Sequence, residues 1–409
     1  MKVVQRFLEY VKIDTASNRE SHQNPSSLCQ FDLAHQLAFE LKKLGMESVV
    51  VNNHCFVYGK LPATKGMEQV VKLGLIAHLD TYPDVPGKNV KPCIVENFAG
   101  NVLEIGKSGL KISASEEPHL LQLKGQTVIT AGGDTILGAD DKAGIAEIIT
   151  AIENVIRSKK PHGQISVSFI PDEEIGKGTD FFDFKTFDAE YAYTVDGFGV
   201  GEIALETFNA RQAIVKFTGI NVHTGYAKDR MVNAQLLALE FANALPSKEI
   251  PAKTAEREGF YHLLKSHGNV EKAELVYNLR DYDMASLERR QAWMRKQVEK
   301  LNKKYGKGSA SIEFSEEYRN MKDTLNKYPE LKEKAIIACD KAGIKPYVKS
   351  IRGGTDGARL TFKGLPCPNL GAGGWNYHSL YEHITVEALK QTSKMLEELI
   401  FQFNDITKK

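Results

Sequence analysis

The chain has 409 residues, 42% of them apolar and 26% charged, with a formal net charge of +1 at pH 7. That length is more than one ordinary core holds and predicts two domains. The small net charge excludes a global electrostatic pull toward nucleic acid or an anionic membrane, and no apolar run reaches the roughly 18 residues that span a bilayer. Five cysteines, at 29, 55, 93, 339 and 367, show no Cys-x-x-Cys spacing. An odd, scattered set suits reduced thiols in the cytoplasm. The N-terminus is amphipathic rather than the apolar stretch of a signal peptide.

Val3, Val4, Phe7, Leu8 and Val11 recur at helical spacing and predict a first helix. Phe31 to Leu44 repeats the pattern and stops at Gly45, a helix-ending glycine. Ser48 to Val51 and Cys55 to Gly59 read as short strands. The run Leu73, Leu75, Ile76 and Ala77 reads as a buried strand that ends in His78-Leu79-Asp80. Residues two apart on a strand point the same way, so His78 and Asp80 leave its carboxyl end on one face. Tyr82 to Gly133 reads as a long insertion holding a strand pair, Val102 to Ile105 and Leu110 to Ile112. Asp140 and Asp141 open the helical stretch AGIAEIITAIENVI. Gln164 to Ile170 and Tyr191 to Val195 are further strand patterns. The first is followed by Pro171, Asp172, Glu173 and Glu174, the second by Asp196 and Gly197. Gly132-Gly133 and Gly176-Lys177-Gly178-Thr179 lack the full phosphate-loop pattern and read as turns.

After Gly201 the texture changes. Arg211 to Gly219 reads as a strand, Ala234 to Ala244 as a helix, Ala273 to Tyr282 as a strand, Leu287 to Leu301 as a helix, and Ser309 to Phe314 as a strand. This order predicts a small α+β domain with helices on one face of an antiparallel sheet. The basic run from Arg289 to Lys307 reads as a solvated helix face, with no groove-reading motif beside it. From Leu325 the α/β texture returns. Leu331 to Ala342 is a helix closed by Gly343, and Tyr347 to Ser350 is a strand. Cys367 to Leu370 leads through a glycine-rich loop to His378, and Thr385 to Phe403 is the terminal helix. The first domain, 1–207 and 318–409, is thus expected to be interrupted by a second, 208–317.

Acids and histidines gather where strands stop, which is where open α/β sheets bind their ligands. His78, Asp140, the Glu173-Glu174 pair, Asp196 and His378 together predict a metal site assembled by the fold. Two imidazole nitrogens with carboxylate oxygens suit Zn²⁺. A two-metal centre, with ions about 3.5–4 Å apart, needs a short carboxylate bridge. One of the adjacent glutamates can bind metal while the other accepts a proton from water.

With HLDT, GADDKAG, PDEEIG, VDG and HSLYEH in this order, the chain resembles the co-catalytic zinc aminopeptidases and aminoacylases nearly end to end, above all their tripeptide-cleaving branch. The resemblance implies an α/β zinc-peptidase catalytic domain, a mixed sheet flanked by helices, interrupted by a smaller α+β lid and dimerisation domain. It implies that His78 and Asp196 hold one metal, Glu174 and His378 the other, and Asp140 bridges them beside a cis Asp140–Asp141 peptide. It makes Asp80 the residue that orients His78, and Glu173 the general base. It matches His223, in GINVHTG, to a lid histidine that reaches the active site of the partner subunit in dimeric relatives, and Asn233, Arg280 and Arg352 to substrate-binding positions. The implied function is removal of the N-terminal residue from tripeptides, with two Zn²⁺ per subunit (cobalt or manganese as substitutes). The implied setting is a cytoplasmic homodimer whose partner is a small peptide, with no nucleic acid and no membrane. A deacylase of N-acylated amino acids is the alternative reading of the same centre. A non-catalytic nucleic-acid binder using the basic helix is opposed by the complete ligand set. GGDT at 132–135 departs from the family's usual Asp-Gly turn and bears on local turn geometry only. His383 reads as a helix-start histidine.

Overall fold

The structure, a computed structural model, describes residues 2–407. The chain divides into two compact units. One runs to Leu205, resumes over Asp323–Lys349 and continues from Thr355; the other comprises Glu206–Lys322 and Ser350–Gly354.

The first unit is built on an eight-stranded sheet. Its order is Glu47–Val51, Val57–Leu61, Ile165–Ile170, Leu73–His78, Tyr191–Gly197, Asn369–Gly371, Glu202–Thr207 and Tyr347–Ile351. From Ile165–Ile170 to Asn369–Gly371 neighbouring strands are parallel, and antiparallel strands flank this block on both sides. Parallel strands covered on both faces must be apolar throughout, and every residue of Leu73–His78 and Ile165–Ile170 is buried. Helix Ala139–Ser158 packs on the central strands, with Val3–Tyr10 and Val386–Gln402 against it. A separate cluster joins Ile76 and Ile170 to Phe182, Phe187 and Leu360. Because the central strands run the same way, their carboxyl ends share one edge. His78 and Asp196 lie on that edge, and the chain leaves it after Ile170 toward Glu173 and after Gly371 toward His378.

The insertion after Tyr82 is tied to the C-terminal segment. Its strands Cys93–Val95 and Val128–Thr130 join His383–Thr385 and Gly374–Trp375 in a second sheet, of order Gly374–Trp375, His383–Thr385, Val128–Thr130, Cys93–Val95. Val102–Glu104 pairs with Lys111–Ser113 alone. His119 of the insertion places its Nε2 at 2.9 Å from Nε2 of His383, and both rings are buried. His383 therefore lies in a strand just before the terminal helix, and Thr385 caps that helix by accepting from Ala388 N.

The second unit is a four-stranded antiparallel sheet of order Phe260–Gly268, Lys272–Asp281, Asn209–Thr218 and Ala310–Tyr318. Its helices, Ala234–Asn243 and Met284–Tyr305, bury Phe241 and Met294 with the sheet residues Val215, Phe217, Leu275 and Leu279. Asn233 and Asp283 cap the two helices through their side-chain oxygens. The sequence pattern misses the edge strand Phe260–Gly268, which is exposed from His262 onward and so carries no alternation to read. Among the described residues no helix is long and apolar enough to cross a membrane.

Candidate metal centre

Asp140 sits at the middle of the carboxyl-edge cluster, with one imidazole on each of its oxygens. His78 Nε2 lies 2.9 Å from Oδ1 and His378 Nε2 lies 3.1 Å from Oδ2. Each histidine faces a second acid: His78 Nε2 is 3.4 Å from Asp196 Oδ1, and His378 Nε2 is 2.9 Å from Glu174 Oε2. Two ligands about 2.1 Å from one tetrahedral zinc stand roughly 3.4 Å apart, so these spacings are near those of groups sharing an ion. The ligand atoms of His78, Asp140 and Glu174 all lie within 4.8 Å of one another, as do those of His78, Asp141 and Asp196.

The electrostatics fit a cation. Burial pushes Asp196 up to about 6 and Glu174 up to about 8. Burial opposes charge on His378 too, but its hydrogen bonds to Asp140 and Glu174 prevail and raise it to about 11. Asp140 is held low against its burial by the two imidazoles. Among the described residues no Lys or Arg pairs with Asp140, Glu174 or Asp196, and Glu174 Oε1 is buried without a hydrogen-bond partner. An unpaired buried anion is costly, and borderline-soft nitrogen with carboxylate oxygen is a donor set that zinc satisfies. The residues therefore fit a pair of divalent ions.

Local structure holds each of these side chains. His78 Nδ1 lies 3.0 Å from the main-chain carbonyl of Asp80 and 3.4 Å from its Oδ1. Donation to that carbonyl leaves Nε2 as the ligand nitrogen. The Asp80 carboxylate itself accepts from Glu173 N at 2.9 Å and Glu174 N at 3.2 Å. Asp172, in the left-handed region at φ +60°, anchors the same turn by accepting from Ser26 N and from the Ser26 and Gln30 side chains. The ring of His378 stacks on Tyr82 at 4.1 Å. The Asp140–Asp141 peptide is cis, and the Asp141 carboxylate accepts from His78 N and Gly144 N. Asp141 is thus occupied by the backbone, whereas both oxygens of Asp140 face imidazoles. Glu173 is partly buried, and burial, then the charges of Asp196 and Asp356, push its carboxyl well above the ordinary range.

Three acids here have no role in the sequence reading: Asp141, Asp172 and Glu382. Each accepts at least one backbone N–H from another segment, a duty with no spacing signature. Glu382 stands in HSLYEH, so its presence was visible and its use was not.

The four residues matched to substrate binding all belong to the second unit. Arg280 Nη1 donates to Arg352 O at 3.3 Å. Arg352 donates to the carbonyls of Glu256 and Glu258 and to Thr254 Oγ1. Asn233 Oδ1 accepts from Gln235 N at the start of its helix. His223 is exposed, with Nδ1 accepting from Gly225 N at 3.2 Å.

A mixed sheet with a histidine–carboxylate cluster at its parallel edge defines the class: a metal-dependent hydrolase of two units. A model of peptidase family M20/M25/M40 matches residues 136–402. Peptidase T of Clostridium perfringens strain SM101 is 46% identical over 400 residues, 98% of each chain. The crystal structure of aminopeptidase PepT from Bacillus cereus gives a TM-score of 0.77 at 25% identity, covering 98% of both chains. That of a tripeptidase from Staphylococcus aureus gives 0.79 at 22% identity with the same coverage. The chain belongs to peptidase family M20/M25/M40.

Proposed function

We propose that the chain is a two-zinc aminopeptidase that removes the N-terminal residue from tripeptides. The observation that carries this reading is Asp140, one carboxylate presenting each oxygen to a different histidine. His78 and Asp196 would hold one zinc, Glu174 and His378 the other, and Asp140 both. Zinc in this place supplies Lewis acidity, which polarises a peptide carbonyl and acidifies water. Glu173 is the general base. Its carboxylate takes the proton of the attacking water and returns it to the leaving amine, a service typically worth 10²–10⁴-fold. Burial, the leading cause, raises its proton affinity, which supports this role. Asp80 holds the turn that presents Glu173 and Glu174.

The names of the relatives, peptidase T, aminopeptidase and tripeptidase, support the substrate class. His223, Asn233, Arg280 and Arg352 are assigned to the substrate's side of the reaction; the first three fall within the lid and dimerisation domain, 208–317, and Arg352 falls in the returning segment Ser350–Gly354 of the second unit. A homodimer through the lid is supported by the exposed edge strand with Leu263 and Leu264 and by Leu236 and Leu239, all more than 40% exposed. A cytoplasmic setting is supported by five free cysteines.

Free trialanine and N-acetyl-trialanine, each incubated with the zinc-loaded protein, test the activity. Hydrolysis of the free peptide alone is expected. Hydrolysis of the blocked peptide alone would replace this reading with the deacylase. Dialanine and tetra-alanine, compared under the same conditions, then test the length limit.

A further inference from the structure

Metal-centre accounts stop at the atoms that face the ions, yet a bridging carboxylate is only as well placed as its backbone. Asp140 stands on a loop that begins at Gly138, whose φ of +78° lies in the left-handed region, and passes through the cis Asp140–Asp141 peptide. That loop has two supports. Downstream, Asp141 accepts from His78 N and Gly144 N. Upstream, the support comes from a distant segment. Glu382 Oε2 accepts from Leu137 N at 2.8 Å and from Gly138 N at 2.7 Å, and Glu382 Oε1 accepts from Asp140 N at 3.0 Å. Glu382 is 1% exposed.

We infer that Glu382 is the positioning residue of the bridge: it sets the reach of both Asp140 oxygens and so controls the affinity of both metals together. The inference rests on the metal-centre reading above. Its special feature is that the stretch bearing Glu382 also bears His378. One segment of chain grips Asp140 twice, through its main-chain N–H from Glu382 and through its Oδ2 from His378 Nε2. A shift of Asp140 along its loop would move Oδ1 away from His78 as Oδ2 moves relative to His378. Both metal positions are therefore coupled through the one carboxylate that Glu382 fixes. Asp80 is the counterpart on the other wall, holding Glu173 N and Glu174 N through its carboxylate and meeting His78 Nδ1 through its carbonyl, but it makes no contact with the backbone of the bridging Asp140 that Glu382 holds.

Both oxygens of Glu382 are used as acceptors, because three N–H donors converge on them. A glutamine keeps the shape and loses one acceptor, and its amide N–H then faces a backbone N–H. Outer groups that hold ligands commonly change metal affinity by about 10–100-fold when replaced.

The experiment is chelator competition on wild type, Glu382→Gln and Glu174→Ala, with metal content read per chain and thermal unfolding of the metal-free proteins in parallel. In Glu382→Gln both metals are expected to leave together, at about ten- to a hundredfold lower chelator concentration. The metal-free variant should unfold within a few degrees of metal-free wild type. Glu174→Ala should lose one metal only. Wild-type affinity in Glu382→Gln, loss of one metal alone, or metal loss matched by an equal drop in metal-free stability overturns the inference. Should Glu382→Gln not fold, Glu382→Asp is measured the same way. Weaker retention of both metals then supports the inference, and wild-type retention overturns it. Wild type retaining fewer than two metals per chain overturns instead the two-metal reading on which the inference stands.

Discussion

Glu206 in the second unit and the acids of the metal centre in the first are buried carboxylates partnered in opposite ways. In the second, Glu206 is 9% exposed and accepts from both terminal nitrogens of Arg257, at 2.9 and 2.7 Å, from Ser350 Oγ at 2.7 Å and from Lys322 Nζ at 3.3 Å. The Arg257 hydrogen bond leads in pulling it down to about 2. In the first, among the described residues, Asp140, Glu174 and Asp196 share two imidazoles and no Lys or Arg, and burial raises Glu174 and Asp196. A carboxylate given its own arginine serves stability. Carboxylates denied one leave a place that a cation from outside can fill. Low exposure alone does not separate the two cases; the partner does.

The contrast can be broken by experiment, starting with the largest effect. Removing metal with a strong chelator should abolish peptide hydrolysis, and added zinc should restore it while raising the melting temperature. Activity that survives complete metal removal would make the first unit's acids ordinary buried groups. Next, Glu173→Ala should lower turnover by about 10²–10⁴-fold while metal analysis still finds both ions; loss of metal would transfer Glu173 from base to ligand. A smaller effect is expected from His223→Ala, a lower turnover at unchanged metal content. Kinetics identical to wild type would make that exposed histidine a turn-former and nothing more.

The smallest effect lies on the stability side. Glu206→Gln should cost about 1–2 kcal/mol, reduced from the usual value for charged hydrogen bonds because Arg257 and Lys322 are half exposed. The pH dependence follows from the sign of the shift. The folded carboxyl titrates near 2 and the ordinary one near 4.5, so the unfolded chain binds the proton first as pH falls. The difference between wild type and variant should be full above about pH 5 and shrink through the window from 4.5 down to 2. Urea unfolding across that range measures it. A variant with altered metal content would show that the two kinds of carboxylate are not separate.

Much of this was legible in the chain. The strand Leu73–His78 is a continuous apolar run, and its length forced His78 to the sheet edge. PDEEIG and VDG follow strands of the same texture, so their acids fall on the same edge once those strands are parallel. The strand Phe260–Gly268 was not legible, because an edge strand exposed on both faces has no period. Nor was the sheet that ties the insertion to Gly374–Trp375 and His383–Thr385, since strands of three residues or fewer carry no pattern of their own.

The sequence by itself determined which groups can hold metal, because donor chemistry belongs to residue types and strand ends are set by where apolar runs stop. Only the tertiary structure decided how those groups are held. Asp80 grips a turn from the next strand, Asp141 grips His78, and Glu382 grips the loop of Asp140. Each of these is a side chain meeting a backbone N–H far away in the chain. Every residue but proline offers such a donor, so no residue type marks it, and its partner is known only when the chain has closed on itself.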